Sequence, residues 1–116
     1  SQRYLLADEV GLGKTIEAGI IIRQAVLDDL HGHRIVILVP SILVNQWRQE
    51  LISRFGLRDF IDDSVQILPF EDVDTLRDEL ASVSLLVIDE AQDMDANEYE
   101  FIKCLMEVNE DMRVSL

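Results

Sequence analysis

Two short, strongly apolar runs constrain the fold of this chain more than any other feature. The first, RIVILV, occupies Arg34–Val39, and the second, SLLVI, occupies Ser84–Ile88. Continuous rather than alternating apolar residues are typical of strands that are covered on both faces of a parallel sheet. Both runs are far shorter than the roughly 20 residues of a membrane-spanning helix, so we expect no contact with a membrane.

Helix-length stretches separate these strands and predict an alternation of the two elements. Further strands are predicted at Tyr4–Ala7, Ser64–Leu68 and Arg113–Leu116. Helices are predicted at Thr15–Leu30, from Ser41 to about Phe55, at Thr75–Ala81 with Asp72 or Asp74 as its cap, and at Asn97–Val108. Gly32 and Gly56 are expected to end the first two helices. The predicted fold class is therefore α/β, a three-layer parallel sheet with helices on both faces.

The first helix is predicted from apolar and long side chains that recur at helical spacing. They are Ile16, Gly19, Ile20, Arg23 and Leu27.

The last predicted strand, Arg113–Leu116, is only beginning where the sequence stops. We therefore expect this chain to be a piece of a larger protein.

Composition places limits on the class of protein. The 116 residues suit one domain or part of one, and the single cysteine, Cys104, excludes a disulfide framework and fits a reducing cytosol. The formal net charge is −13, but residues 1–58 are near neutral, at +1, and residues 59–116 carry −14. Binding to a polyanion needs Lys and Arg, so the second half is a poor candidate for nucleic acid. A solvated acidic surface is the simpler interpretation of this charge.

A glycine-rich segment between the first strand and the first helix predicts a phosphate site. Its sequence is DEVGLGKT, and the expected nucleotide-binding residues are Asp8, Glu9, Val10, Gly11, Leu12, Gly13, Lys14 and Thr15. The glycines let backbone amides surround an anion, the lysine supplies a charge for the phosphates, and the threonine hydroxyl can bind Mg²⁺. The general phosphate-loop pattern has a first glycine where this chain has Asp8, so the match is incomplete.

An acidic pair follows the second apolar run, in the sequence LLVIDE over residues Leu85–Glu90. A buried strand would carry Asp89 to the carboxyl edge of the sheet, where open α/β sheets bind ligands. There Asp89 is expected to hold Mg²⁺ together with Thr15. Glu90 is expected to orient and deprotonate the water that attacks the γ-phosphate. Together with the glycine-rich segment, the pair indicates ATP hydrolysis.

Three segments resemble motifs of the Swi/Snf-type superfamily-two ATPases and helicases, in the bacterial RapA-like branch. Leu5–Gly19 is similar to motif I, Val39–Glu50 to motif Ia and Leu85–Gln92 to motif II. This family ordinarily has aspartate at the position of Asp8, which accounts for the departure from the general pattern.

The resemblance implies a role for individual residues. Lys14, Asp89 and Glu90 would be catalytic, and Gln92 would couple the nucleotide site to later motifs. Ser41 would face the DNA backbone, although a plain helix N-cap explains this serine equally well.

The resemblance also implies an architecture and a set of partners. Residues 1–116 would be a partial helicase ATP-binding domain, an incomplete RecA-like lobe of the P-loop NTPase class. ATP and Mg²⁺ would lie between it and a second lobe of the same protein. Expected partners are double-stranded DNA and RNA polymerase or another DNA-bound protein, in a bacterial or archaeal cytoplasm. An arginine finger of the second lobe would raise the rate of hydrolysis by about 10³–10⁵-fold. Without it, this chain should bind nucleotide weakly and hydrolyse it negligibly.

Two other functions are compatible with the sequence. One is a strand-separating helicase or restriction-type motor of the same superfamily, and the other is a non-catalytic nucleotide-sensing module. The leading interpretation is a translocase that moves on duplex DNA and remodels bound protein.

Several conspicuous residues are given structural rather than functional interpretations. Trp47 lies four residues from Leu43 and from Leu51, which predicts a core position rather than a base-stacking one. Cys104 is expected to be a buried, inert thiol. Exposed positions are expected for His31 and His33, and a surface turn is expected for Asp59, Asp62 and Asp63.

Overall fold

The computed structural model describes residues 3–8, 12–28, 34–78, 82–108 and 112–115, and the side chains of residues 16–28, 34–78 and 82–104. Strands and helices alternate along these ranges. The strands are β1 (Arg3–Asp8), β2 (Ile35–Val39), β3 (Val65–Pro69), β4 (Leu85–Asp89) and β5 (Met112–Ser115). The α-helices are α1 (Leu12–Asp28), α2 (Val44–Ser53) and α3 (Ala96–Val108). None of these helices has the length and apolar character needed to cross a membrane.

The five strands form one parallel sheet in the order β3-β2-β4-β1-β5. β1 and β4 are neighbours, with Asp8 opposite Asp89. β2 pairs with the other side of β4, with Leu38 opposite Ile88. Because the strands run in one direction, all their carboxyl ends lie at the same edge. The predicted α/β class with a parallel sheet is confirmed.

The two faces of the sheet carry separate cores, because successive side chains of a strand point to opposite faces. On one face, α1 and α2 pack against alternate residues of the central strands, including Ile37 and Val87. On the other face, Leu38 and Leu86 pack against Ile102 of α3 and a 3₁₀ segment, Phe70–Leu76. Strands β2 and β4 are buried along their whole length. The predicted three-layer arrangement is confirmed.

Helix α1 begins at Leu12, three residues before the predicted start. Among residues 16–28 of this helix, whose side chains are described, the buried side chains are Ala18, Ile22 and Val26, each four residues from the next. The face of Ile20, which the sequence pattern emphasised, is exposed. The proposed stop at Gly32 lies outside the described residues.

Gly19 of α1 lies directly against the ring of Phe55, which follows α2. A Cβ atom at this position would lie 2.2 Å from ring carbons of Phe55. Only glycine fits such a contact without movement of the ring.

Ser41 does not cap helix α2, so that part of the prediction is wrong. Ser41–Leu43 form a 3₁₀ turn, and α2 starts only at Val44. The amide of Leu43 donates to the carbonyl of Pro40 at 2.9 Å, which occupies a donor that a capping hydroxyl at Ser41 would use. Neither segment has a side-chain cap.

Gly56 ends the α2 region as predicted. Its φ of +68° lies in the left-handed region that favours glycine. The next amide, that of Leu57, donates to the carbonyl of Leu51 at 3.0 Å.

The helix predicted at Thr75–Ala81 is wrong over the residues that the structure describes. Phe70–Leu76 forms a 3₁₀ segment whose buried residues, Phe70, Val73 and Leu76, recur every three positions. That spacing matches the three residues per turn of a 3₁₀ helix. The segment has no side-chain cap, so neither Asp72 nor Asp74 fills the predicted role.

Helix α3 is confirmed within one residue of its predicted start, and a reciprocal pair of hydrogen bonds begins it. The amide of Glu98 donates to the Asp95 carboxylate at 2.7 Å, and the amide of Asp95 donates to the Glu98 carboxylate at 2.9 Å. This is a capping box.

The prediction that Cys104 is buried is wrong, since the thiol is exposed. Two residues turn a helix by about 200°, so Cys104 faces away from the buried Ile102.

Candidate functional site

The residues predicted to bind phosphate and metal follow two neighbouring strands at the carboxyl edge of the sheet. β1 ends at Asp8 and β4 ends at Asp89, and these residues are opposite each other in the parallel register. Helix α1 begins four residues after Asp8. The structure therefore brings the start of α1 and the acidic end of β4 to one edge, where open α/β sheets bind ligands.

The first turn of α1 contains Gly13, Lys14 and Thr15. Amides in the first turn of a helix have no acceptor within the helix and lie at the positive end of its dipole. They therefore form a backbone surface suited to phosphate. The roles expected of Glu9, Val10 and Gly11 fall outside the described residues and stay predictions.

Asp89 is the one buried charged residue in the part of the chain whose side chains are described, with 8% of its surface exposed. Leu85, Val87 and Asp89 alternate along β4 and so point to the same face, which α1 and α2 cover. The indole N–H of Trp47, in α2, donates to Oδ2 of Asp89 at 2.8 Å. The carboxylate thus lies between the sheet end and helix α2, on the same side as α1.

Glu90 turns the chain sharply where β4 ends. Its φ of 57° and ψ of 45° are left-handed, which is uncommon for a residue other than glycine, asparagine or aspartate. Its carboxylate accepts a hydrogen bond from the side-chain amide of Gln92. Residues held in such sparsely populated conformations cluster at active sites. The coupling residue predicted at Gln92 thus contacts the predicted catalytic glutamate directly.

Ser41 lies just beyond β2, at the same carboxyl edge, and its side chain is exposed. That position is compatible with a contact to DNA, which stays a prediction.

The structural interpretations of other residues have mixed outcomes. The core position of Trp47 is confirmed, because only 4% of its surface is exposed. Asp59, Asp62 and Asp63 are exposed as predicted, and the guanidinium of Arg48 pairs with Asp62. His31 and His33 lie outside the described residues.

The sequence singles out Trp47 and Asp89 separately but does not predict the hydrogen bond between them. The two residues are 42 positions apart, and the contact depends on β2 and β4 being neighbours in the sheet. One signal was available, since a buried indole N–H usually finds a polar partner.

Comparisons with known proteins show the family of this chain. The family model of the SNF2-related domain matches residues 2–62. The chain is 41% identical over 134 aligned residues to the RNA polymerase-associated protein RapA of Yersinia enterocolitica, covering 90% of this chain and 14% of that protein.

Other proteins of the same name also match this chain. The protein of Pseudomonas aeruginosa is 39% identical over 133 residues, covering 91% of this chain and 14% of its own length. That of Proteus mirabilis is 56% identical over 63 residues, covering 53% of this chain and 6% of its own. The chain therefore spans only a small part of these relatives, and it belongs to the SNF2-related domain family, with similarity to its RapA members.

Proposed function

We propose that this chain is part of the first RecA-like, ATP-binding lobe of a DNA-dependent ATPase that moves along double-stranded DNA and remodels bound protein. The observation that carries the proposal is the pairing of Asp8 with Asp89, which joins the start of α1 to the acidic end of β4 at one sheet edge. Membership of the SNF2-related family supports the ATPase class. The name of the relatives supports RNA polymerase as a partner and a bacterial cytoplasm as the setting.

In this proposal the first turn of α1 binds the phosphates. The amides of Gly13, Lys14 and Thr15 would donate to phosphate oxygens, and the Lys14 ammonium would neutralise the β- and γ-phosphates. Backbone amides at a helix start are already oriented, so little rearrangement is needed when the nucleotide binds.

The donor set fits a Mg²⁺ ion that arrives with the nucleotide. Mg²⁺ prefers oxygen ligands, keeps several waters and is commonly held by one or two carboxylates together with substrate phosphates. Asp89 supplies a buried carboxylate, and the described residues contain no group of three or more acidic, histidine or cysteine side chains that would form a separate metal cage. Thr15 and Asp89 would hold the ion, which when bound neutralises charge that develops on the phosphates.

Glu90 is the proposed base for hydrolysis. Its left-handed backbone directs the chain away from the strand, and the Gln92 amide restrains its carboxylate. A restrained carboxylate can orient a water molecule and accept its proton as that water attacks the γ-phosphate.

The ATPase of a full-length protein that contains this chain tests the proposal. We expect duplex DNA to stimulate ATP hydrolysis, and Glu90→Gln to lower kcat by about 10²–10⁴ with little change in KM. The exposed carboxylate variant Glu100→Gln is the matched control and should keep the wild-type rate. Hydrolysis that survives Glu90→Gln would contradict the proposed site. Efficient strand separation would favour a helicase, and nucleotide binding with no hydrolysis would favour a nucleotide sensor.

A further inference from the structure

Trp47 makes a contact that a residue needed only for packing would not require. Its indole nitrogen lies 2.8 Å from Oδ2 of Asp89, and both side chains are buried. An indole N–H is only a donor, so the direction of this bond follows from chemistry alone. Its length is that of a well-formed N–H···O hydrogen bond.

The topology of the sheet explains how a residue of α2 reaches the end of β4. β2 and β4 are neighbours, and the chain leaving β2 enters α2 after one short 3₁₀ turn, Ser41–Leu43. Leu51, one turn after Trp47, is fully buried against the same core, so α2 is fixed on this face of the sheet. The indole is therefore presented to Asp89 by a rigid element rather than by a loop.

We propose that Trp47 is a positioning residue for Mg²⁺–nucleotide binding, because its N–H holds the Asp89 carboxylate in the orientation that the metal needs. This inference rests on the proposed function, in which Asp89 is a metal ligand. Groups that orient a metal-binding side chain typically change metal affinity or activity by about 10–100-fold when they are removed. A core tryptophan with no such role would affect stability alone.

The contact itself can be tested without nucleotide. The 116-residue chain has one tryptophan and so gives one indole N–H signal in a ¹H–¹⁵N NMR spectrum. We expect Asp89→Asn to move this signal upfield, since a neutral acceptor makes a weaker hydrogen bond. The exposed neighbour Asp93 gives the control Asp93→Asn, which should leave the signal in place. An indole signal that Asp89→Asn does not move would overturn the proposal.

The role in metal binding requires variants that remove the N–H and keep the packing. Trp47→Phe removes the donor along with part of the ring. Replacement of Trp47 by β-(3-benzothienyl)alanine keeps the two-ring shape, with sulfur in place of the N–H, and so guards against a variant that fails to fold. Leu51→Val is the matched control, since it loosens the same helix without touching Asp89.

Binding of a fluorescent ATP analogue to the chain is then measured as Mg²⁺ is titrated and again in EDTA. We expect both Trp47 variants to need about tenfold or more Mg²⁺ for half-maximal binding, with affinity in EDTA unchanged. Leu51→Val should titrate as the wild type does. If the benzothienyl variant also titrates as the wild type, while Lys14→Ala still weakens binding, the positioning role is overturned and the proposed function stands. If the wild-type chain binds no nucleotide, both are overturned.

Discussion

Asp62 shows at the scale of single residues how a strained backbone and an ion pair occur together. Its φ of 66° is left-handed, and the Arg48 guanidinium donates to its two carboxylate oxygens at 2.9 and 3.1 Å. The hydrogen bond from Arg48 is the largest influence and lowers the pKa of Asp62; burial opposes it, and the charge of Arg48 adds to the lowering. The same pair raises the pKa of Arg48.

Arg48→Gln should therefore raise the pKa of Asp62 toward its ordinary value. A carboxyl whose pKa is lowered by folding stabilises the folded chain above its unfolded pKa, about 3.9, and loses that contribution as the pH falls through the folded pKa. The difference in stability between wild type and Arg48→Gln should thus shrink in acid. The pKa is measured by NMR titration of the Asp62 side chain. Arg58→Gln, a nearby exposed arginine, should leave that pKa unchanged, and an equal shift in both variants would exclude a specific pair.

Gly19→Ala tests the contact between α1 and Phe55. Alanine is the better helix former by about 1 kcal/mol, but its Cβ would meet the buried ring at 2.2 Å. We expect overpacking to prevail, with a net loss of about 1–3 kcal/mol in the free energy of unfolding, measured with urea. Gln24→Ala, at an exposed position of the same helix, should have little effect. A stabilised Gly19→Ala variant would mean that the ring moves aside freely.

At the scale of elements, the capping box of α3 is a local stabilising unit. Asp95→Ala removes the carboxylate that accepts from the Glu98 amide, and should lower the free energy of unfolding by about 0.5–2 kcal/mol. Denaturant unfolding measures this loss. Asp93→Ala, a nearby exposed aspartate outside the box, serves as the control, and equal losses in the two variants would show that the box contributes nothing.

The elements also show which parts of the fold are predictable from sequence. β2 and β4 were predicted within one residue because strands buried on both faces have continuous apolar sequences. The buried face of α1 was not predictable, because Ile16, Ile20 and Leu27 are exposed while Ile22 and Val26 are buried. When apolar residues lie on several sides of a helix, the periodicity of the sequence does not indicate which side is buried. The 3₁₀ segment was missed because helical spacing was assumed where the apolar period is three.

For the candidate site, the sequence predicts which residues take part better than it predicts which of them contact each other. The apolar run before Asp89 predicted that this residue ends a strand, and the structure places it there. The Trp47–Asp89 bond depends on which strands are neighbours, and local sequence does not specify that order. The left-handed conformation of Glu90 is not predictable from local sequence either, because glutamate is not a residue that favours it.

At the scale of the whole molecule, the net charge of −13 and the proposed DNA motor are compatible. The near-neutral first half contains α1, whose first turn is the proposed phosphate site, and the 3₁₀ turn with the exposed Ser41. The strongly acidic second half supplies Asp89 and Glu90. We therefore expect the chain alone to bind DNA poorly, and we assign the principal positive surface of the proposed motor to other parts of a longer protein.

The proposed nucleotide site is the sheet edge formed by β1, α1 and β4. Titration of the 116-residue chain with a fluorescent ATP analogue and Mg²⁺ tests it most directly. We expect binding in the high-micromolar range that weakens by about tenfold or more in Lys14→Ala, since a hydrogen bond to a charged group contributes about 1.5–3 kcal/mol. Lys103→Ala, an exposed lysine of α3, should bind as the wild type does. Affinity that is absent from the wild type, or that survives Lys14→Ala, would contradict nucleotide binding at this sheet edge.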